Sequence, residues 1–319
     1  MALASDVGID YFFDEIHPHP HLWIDQVKDV CALHGINALD IQPFSDGVNL
    51  VASVNDALVV KIFPPFHRHQ WESDARALKH LQGCLSLPIP TYIAAGDLAE
   101  SWRFLIMSKV EGVPLERVWR DMSHENKVQI MAHIGKDMAE VHAIDVGDLK
   151  HLEPQWNRFL GEQASACKVR HEKKGMPQWF VKGLDTWLKD SHELLNEPFQ
   201  SVILTGEYTP FNLLVQPIDG HFRLSGMIDF GDTMIGSADY DLLGPSVFLG
   251  EGDPLLIRAL FSAYGYDLSD AMTIDSLRRK LLTLQILHRY SDFKSQLRIA
   301  DWENKVGSFD DLARLIWPL

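Results

Sequence analysis

The sequence has little cysteine: Cys31, Cys84 and Cys167 stand far apart and in no CxxC pair. A disulfide framework or a cysteine-held zinc site is not expected, and a reducing compartment is. Long apolar runs are also missing, since none approaches the roughly 20 residues that a helix needs to cross a bilayer. The opening MALASDVGIDYFFDEIH has no basic start and several acids, so it does not read as a secretory signal, and a cytoplasmic protein is expected. Positive charge is scarce, with 29 Lys and Arg against 44 Asp and Glu, a formal net charge of -15. Such a surface repels nucleic-acid phosphates and suits a small cationic partner. No internal repeat or low-complexity tract is visible.

What is present is ordinary globular material: 319 residues, 46% hydrophobic, enough for two lobes around one cleft. Apolar spacing predicts a helix over 22–34, stopped by Gly35. Short β-like runs follow at Ile41–Phe44, Val48–Val54 and Ala57–Phe63, with Asn55-Asp56 as a tight hairpin turn between the last two. A helix over 69–82 and a buried strand at Phe104–Val110 complete this part. Beyond it, a long helix is expected from Ser123, its N-cap, to His142, then helices through the tryptophan-rich 151–200. Strands return at Ser201–Leu204, Leu213–Gln216 and Phe222–Ile228, and helices dominate after Leu242. The expected class is α+β, with a small antiparallel β-rich lobe at 1–110 and a larger, mainly helical lobe at 111–319.

Two stretches carry chemistry: LTGEYTPFNLLV at 204–215 and GMIDFGDTMIGSADYDLL at 226–243. Phosphoryl transfer needs a group that orients or deprotonates the attacking hydroxyl, and oxygen ligands that hold Mg²⁺ on nucleotide phosphates. Glu207 offers the first, and Asn212 and Asp229 offer the second. The pair of motifs resembles the catalytic loop and metal-binding motif of the aminoglycoside phosphotransferase family, which has the protein-kinase-like fold. The family loop HGDxxxxN reads TGEYTPFN here, and DFGD at 229–232 followed by GSADYDL matches closely. By that resemblance Glu207 stands where the family has a catalytic Asp, one methylene longer, and Thr205 replaces a loop-propping His. Asp239 and Asp241 correspond to loop-fixing acids.

Lys61, presented by the apolar strand ALVVKIF, is the candidate phosphate-binding lysine. Its acidic partner should come from the helix at 69–82, where Glu72 and Asp74 lie about 200° apart around the axis. Asp74 shares a face with Ala77, Leu78 and Leu81, whereas Glu72 falls beside Arg76 and Lys79, so Asp74 is chosen. It also sits where the family has Glu, and a shorter acid implies a looser pair. SDGVNL at 45–50 is the candidate phosphate loop, with Ser45 and Gly47 offering backbone N–H groups. The resemblance further implies main-chain bonds from Ser108 and Val110 to the nucleotide base, behind Met107.

His17, His19 and His21 alternate with prolines, and an extended arm would set all three on one side. No acid or cysteine completes a ligand set there, so an exposed, proline-stiffened arm is expected. The tryptophans between Trp156 and Trp187 are expected in the core. Glu162, Asp232, Asp292 and Glu303 are candidates to attract a cationic acceptor. LLTLQILHRYSDF and FDDLARLIWPL resemble the end of the hygromycin B kinases, which implies an aminoglycoside acceptor of that type. The cofactors implied are ATP (or GTP) and Mg²⁺, and the expected assembly is a monomer or weak dimer. Other acceptors on the same scaffold are homoserine, choline, a methylthioribose-like sugar or a macrolide hydroxyl. The contrasting class is a nucleotide-binding pseudo-enzyme, since Thr205, Glu207 and Asp74 all depart from the family pattern.

Overall fold

The computed structural model describes residue 4 and residues 6–206 and 208–319. The chain forms two compact units. One holds the described residues up to Cys84, with Pro88–Glu111 and Met227–Asp232; the other holds Leu85–Leu87, Gly112–Gly226 and Thr233–Leu319.

The first unit is built on an antiparallel sheet of β1 (Ile41–Pro43), β2 (Leu50–Val54), β3 (Leu58–Phe63), β4 (Tyr92–Asp97) and β5 (Arg103–Ser108), in the order β1-β2-β3-β5-β4. Asn55 and Asp56 turn β2 into β3 with φ of 53° and 55°, the left-handed backbone that a two-residue hairpin needs. The Asn55 side chain fixes this turn, accepting from the N–H groups of Leu39 and Asp40 and donating to the carbonyl of Asn37. Alternation along β3 sends Val60 and Ile62 into a core with Val27 and Val30 of helix α1 (Ile24–Leu33). Lys61 therefore points to the other side of the sheet, where helix α2 (Arg68–Leu81) packs and buries Ala77, Leu78 and Leu81.

The histidine arm differs from expectation. It is not extended: a π-turn spans Phe12–Ile16 and a 3₁₀ turn spans Pro20–Leu22. Phe12, Ile16 and Trp23 are buried in the sheet's core, and His19 bonds through Nδ1 to the carbonyl of Glu15. Burial of these apolar side chains outweighs the extended bias of the prolines.

In the second unit, helix α3 (His124–His142) is capped by Ser123, whose Oγ accepts from Asn126 N–H at 3.2 Å. Helix α4 spans Trp156–Lys173, α5 Gln178–Asp190, α6 Leu243–Leu249, α7 Pro254–Tyr264, α8 Ala271–Leu287 and α9 Phe309–Ile316. Helices α3 and α7 pack so closely at Gly135 that a Cβ there would lie 2.3 Å from the Leu260 carbonyl oxygen. Trp156 and Trp187 are buried as core residues, with Trp187 stacked on Phe309 at 4.8 Å. Short strands complete this unit. Strand β6 (Val113–Pro114) joins β8 (Leu213–Ile218) and β9 (His221–Met227), and β7 (Ser201–Leu204) pairs antiparallel with β10 (Met234–Ser237). Strand β10 has no local signal in the sequence.

Candidate functional site

The first unit gathers three of the expected residues. Lys61 Nζ donates to Asp74 Oδ2 at 2.7 Å and to Asp229 Oδ1 at 3.0 Å. Asp74 also accepts the Phe230 N–H on Oδ1 at 3.3 Å, which ties α2 to the Asp-Phe-Gly turn. Glu72 instead pairs with Arg76 on the exposed side of the helix, as the helical-wheel reading has it. Asp229 adopts φ of 67°, a conformation costly for a residue with a Cβ. Buried Phe230 and Met227, whose N–H donates to the Pro88 carbonyl at 3.0 Å, hold the turn in that shape.

The charges of this group act on one another. Burial raises the Asp74 carboxyl, and Lys61 only partly counters it. Burial also works against ionised Asp229, but the Lys61 ammonium and the Gly231 N–H hold its carboxyl below the usual range. Burial alone would lower the Lys61 ammonium, and the Asp229 and Asp74 carboxylates raise it instead. The result is a fixed point charge beside a carboxylate that stays ionised. Among the described residues the hydrogen bonds of Asp229 fall on Oδ1, and its side chain is 39% exposed.

Ser45 and Gly47 are exposed in the loop before β2, and Gly47 takes φ of 104°, which favours glycine. The loop's base was not anticipated. Buried Asn49 donates to Gln70 Oε1 at 3.2 Å and meets His67 Nδ1 at 2.9 Å. Desolvation, with the charge of nearby His69, lowers His67 to about 4. Ser108 spends its N–H on the Thr91 carbonyl at 3.0 Å, so a main-chain bond from it to a base would fall to its carbonyl. The Lys109 N–H bonds to Ala57, which leads the chain into half-buried Val110.

In the second unit, Glu207 lies outside the described residues. The backbone before it is tightly held. Asp241 accepts the Thr205 N–H on Oδ2 and the Gly206 N–H on Oδ1, each at 2.9 Å. His142, at the end of α3, contacts Asp241 Oδ2 at 3.2 Å and the Tyr264 hydroxyl at 2.9 Å. Tyr208, directly after the loop acid, donates to Asp137 Oδ2 of α3 at 2.8 Å. Burial, with the charge of Glu140, pushes Asp137 up to about 6 against that hydrogen bond. Asp137 and His142 carry no motif in the sequence. Their one signal was that both are polar residues on the buried face of a long helix. Asn212 stands just before β8, with its N–H on the Thr209 carbonyl at 3.1 Å.

Three of the acids considered for a cationic acceptor are already paired. Arg158 takes Glu162, Lys174 takes Asp292 and Lys294 takes Glu303, while Asp232 is buried. Among the described residues no three of His, Cys, Asp and Glu cluster as a metal site. A ready-made cage is not what Mg²⁺ requires, because it takes one or two protein oxygens and completes its shell with phosphates and water. Asp229 Oδ2 and the Asn212 amide oxygen are donors of that hard type.

Together, the β-rich unit with its lysine–aspartate pair and the helical unit with its clamped loop define the α+β, kinase-like class of phosphotransferase. The chain belongs to the phosphotransferase enzyme family, whose profile matches residues 40–274. That membership makes it an enzyme of the hydroxyl-acceptor phosphotransferase type. Solved structures share the fold. The GDP complex of wild-type aminoglycoside 2'-phosphotransferase-IIIa has 19% identity, a TM-score of 0.66 and coverage of 92% of this chain and 96% of that one. A thermostable mutant of APH(4)-Ia has 17% identity, a TM-score of 0.58 and coverage of 91% and 95%. APH(3'')-Id from Streptomyces rimosus has 17% identity, a TM-score of 0.59 and coverage of 83% and 98%. Comparison with the curated proteins gives no match.

Proposed function

We propose that this protein transfers the γ-phosphoryl group of ATP or GTP, with Mg²⁺, to a hydroxyl of a small molecule. The observation that carries the reading is Lys61 bonded at once to Asp74 and Asp229, with Asp229 held in a left-handed turn. Nucleotide binding is assigned to residues 1–110, with Lys61 on the phosphates, the Ser45–Gly47 loop over them, and Ser108 and Val110 at the base. Residues 111–319 are assigned the acceptor. Asp229 and Asn212 would hold Mg²⁺, which neutralises phosphate charge as it transfers. Glu207 takes the acceptor hydroxyl's proton as that oxygen bonds to the γ-phosphorus and the bond to the departing nucleoside diphosphate breaks.

Aminoglycosides are the first acceptor class to test, because similar folds include a GDP and kanamycin complex and a gentamicin complex. A hygromycin-type acceptor is the finer form of the same reading. Among the described residues no helix is long and apolar enough to cross a membrane. We place the activity in the cytoplasm, where nucleotide is supplied. The decisive assay is nucleoside diphosphate release with Mg·ATP or Mg·GTP across aminoglycosides, amino alcohols, sugars and macrolides. Acceptor-dependent release is expected; tight nucleotide binding with no acceptor-dependent release would favour a pseudo-enzyme.

A further inference from the structure

The loop proposed to cover the phosphates is an exposed one: Ser45, Asp46, Gly47 and Val48 all face solvent. Its buried end is Asn49, which is 6% exposed. The Asn49 amide nitrogen donates to Gln70 Oε1 at 3.2 Å, and its oxygen meets His67 Nδ1 at 2.9 Å. An amide oxygen only accepts, so His67 Nδ1 carries the hydrogen and donates it.

All three residues belong to the first unit. His67 closes the short turn before α2, with its own N–H on the Pro64 carbonyl at 2.9 Å, and Gln70 lies in the first turn of that helix. Gln70 also abuts the Asp-Phe-Gly turn, since a Cβ at Gly231 would lie 3.5 Å from the Gln70 Cβ. Four residues on, and so on the same face of the helix, Asp74 binds Lys61 and the Phe230 N–H. One face of α2 thus anchors the loop, the lysine and the turn.

The His67 imidazole is not a phosphate-binding charge. Burial and the His69 charge lower it to about 4, against the Asp232 charge and the Val48 carbonyl, so it is neutral near pH 7. Its ring packs on Phe66 at 4.6 Å and lies 6.5 Å from Phe13. What it adds is direction, because a shift of the loop would strip bonds from a buried amide, which is costly. We propose that His67 and Gln70 are positioning residues. Through Asn49 they fix the phosphate loop against the helix that carries Asp74, so that the loop and Lys61 engage the nucleotide phosphates together. The inference rests on the nucleotide reading of this unit and adds the residues that set its loop.

The test is calorimetry on the full-length protein, with Mg·ATP or Mg·GTP, whichever binds tighter, and with the matching nucleoside, which lacks phosphates. His67→Phe keeps a ring and removes the donor, and Gln70→Met keeps the length and removes the acceptor. Each variant, if folded by circular dichroism, is expected to bind the nucleotide tenfold or more weakly and the nucleoside within twofold of wild type. His67→Asn, which offers an amide donor in place of Nδ1, should bring nucleotide binding back to within threefold. A role in packing alone would weaken both ligands alike or neither. Either result overturns the inference, as does a His67→Asn variant no better than His67→Phe. A wild-type protein that binds neither nucleotide overturns the phosphotransferase reading, and the inference with it.

Discussion

Lys61 and Asp74 form an ion pair at 2.7 Å with side chains only 8% and 1% exposed, although the acid is one methylene shorter than glutamate. The short acid gives no loose contact. It brings α2 close enough for the second carboxylate oxygen to take the Phe230 N–H, so one side chain serves both the lysine and the Asp-Phe-Gly turn.

Asp74→Asn leaves the lysine buried with one charged partner fewer. Loss of one member of a buried pair costs about 3–5 kcal/mol. Urea denaturation should register a loss of that order, and Mg·ATP affinity should fall in the same variant. Unchanged affinity would remove Asp74 from nucleotide binding.

Glu207→Gln removes the proposed proton acceptor at nearly constant size. Turnover should fall by about 10²–10⁴-fold, the usual contribution of a general base, while nucleotide binding by calorimetry stays close to wild type. Full turnover in this variant would show that another group, or solvent, takes the proton.

Asp137 gives the pH dependence a definite sign. Its folded value is raised to about 6, above the unfolded carboxylate value near 3.9, so the folded state holds more protons between them. Stability therefore falls as pH rises through that window and levels off above it, by up to about 3 kcal/mol. Denaturation midpoints of wild type should drop relative to Asp137→Asn between pH 4 and pH 7. Parallel profiles would mean that Asp137 titrates normally.

Gly135→Ala tests the helix contact in the second unit. The added carbon meets a backbone oxygen, which cannot rotate away, so α3 and α7 must separate. Overpacking of this kind costs about 1–3 kcal/mol, readable as a lowered melting temperature.

The parts of the fold that could be read in advance are those set by local rules. Asn55-Asp56 declares its hairpin, Ser123 declares its helix start, and parity along ALVVKIF puts Lys61 opposite Val60 and Ile62. The helical wheel separates Asp74 from Glu72 for the same reason. What escaped depends on residues far apart in the chain. His142 and Asp241 are 99 positions apart, and Tyr208 and Asp137 are 71 apart. No periodicity links such pairs. Strand β10 escaped because four residues with a glycine inside show no alternation until β7 supplies the partner. The histidine segment misled because its prolines speak for extension locally, while Phe12 and Trp23 answer to a core formed elsewhere.

The membership of Met227–Asp232 in the first unit has a practical result for anyone cutting this gene. A fragment ending near residue 110 would carry the whole five-stranded sheet, yet it would leave behind Asp229 and the Phe230 amide. Lys61 would keep one counter-charge, and Asp74 would lose its backbone donor. The half of this enzyme proposed to bind nucleotide is thus not a module that can be lifted out in one piece. Only a graft that stitches the six-residue segment back in, by a designed linker or by co-expression, would restore its charge balance.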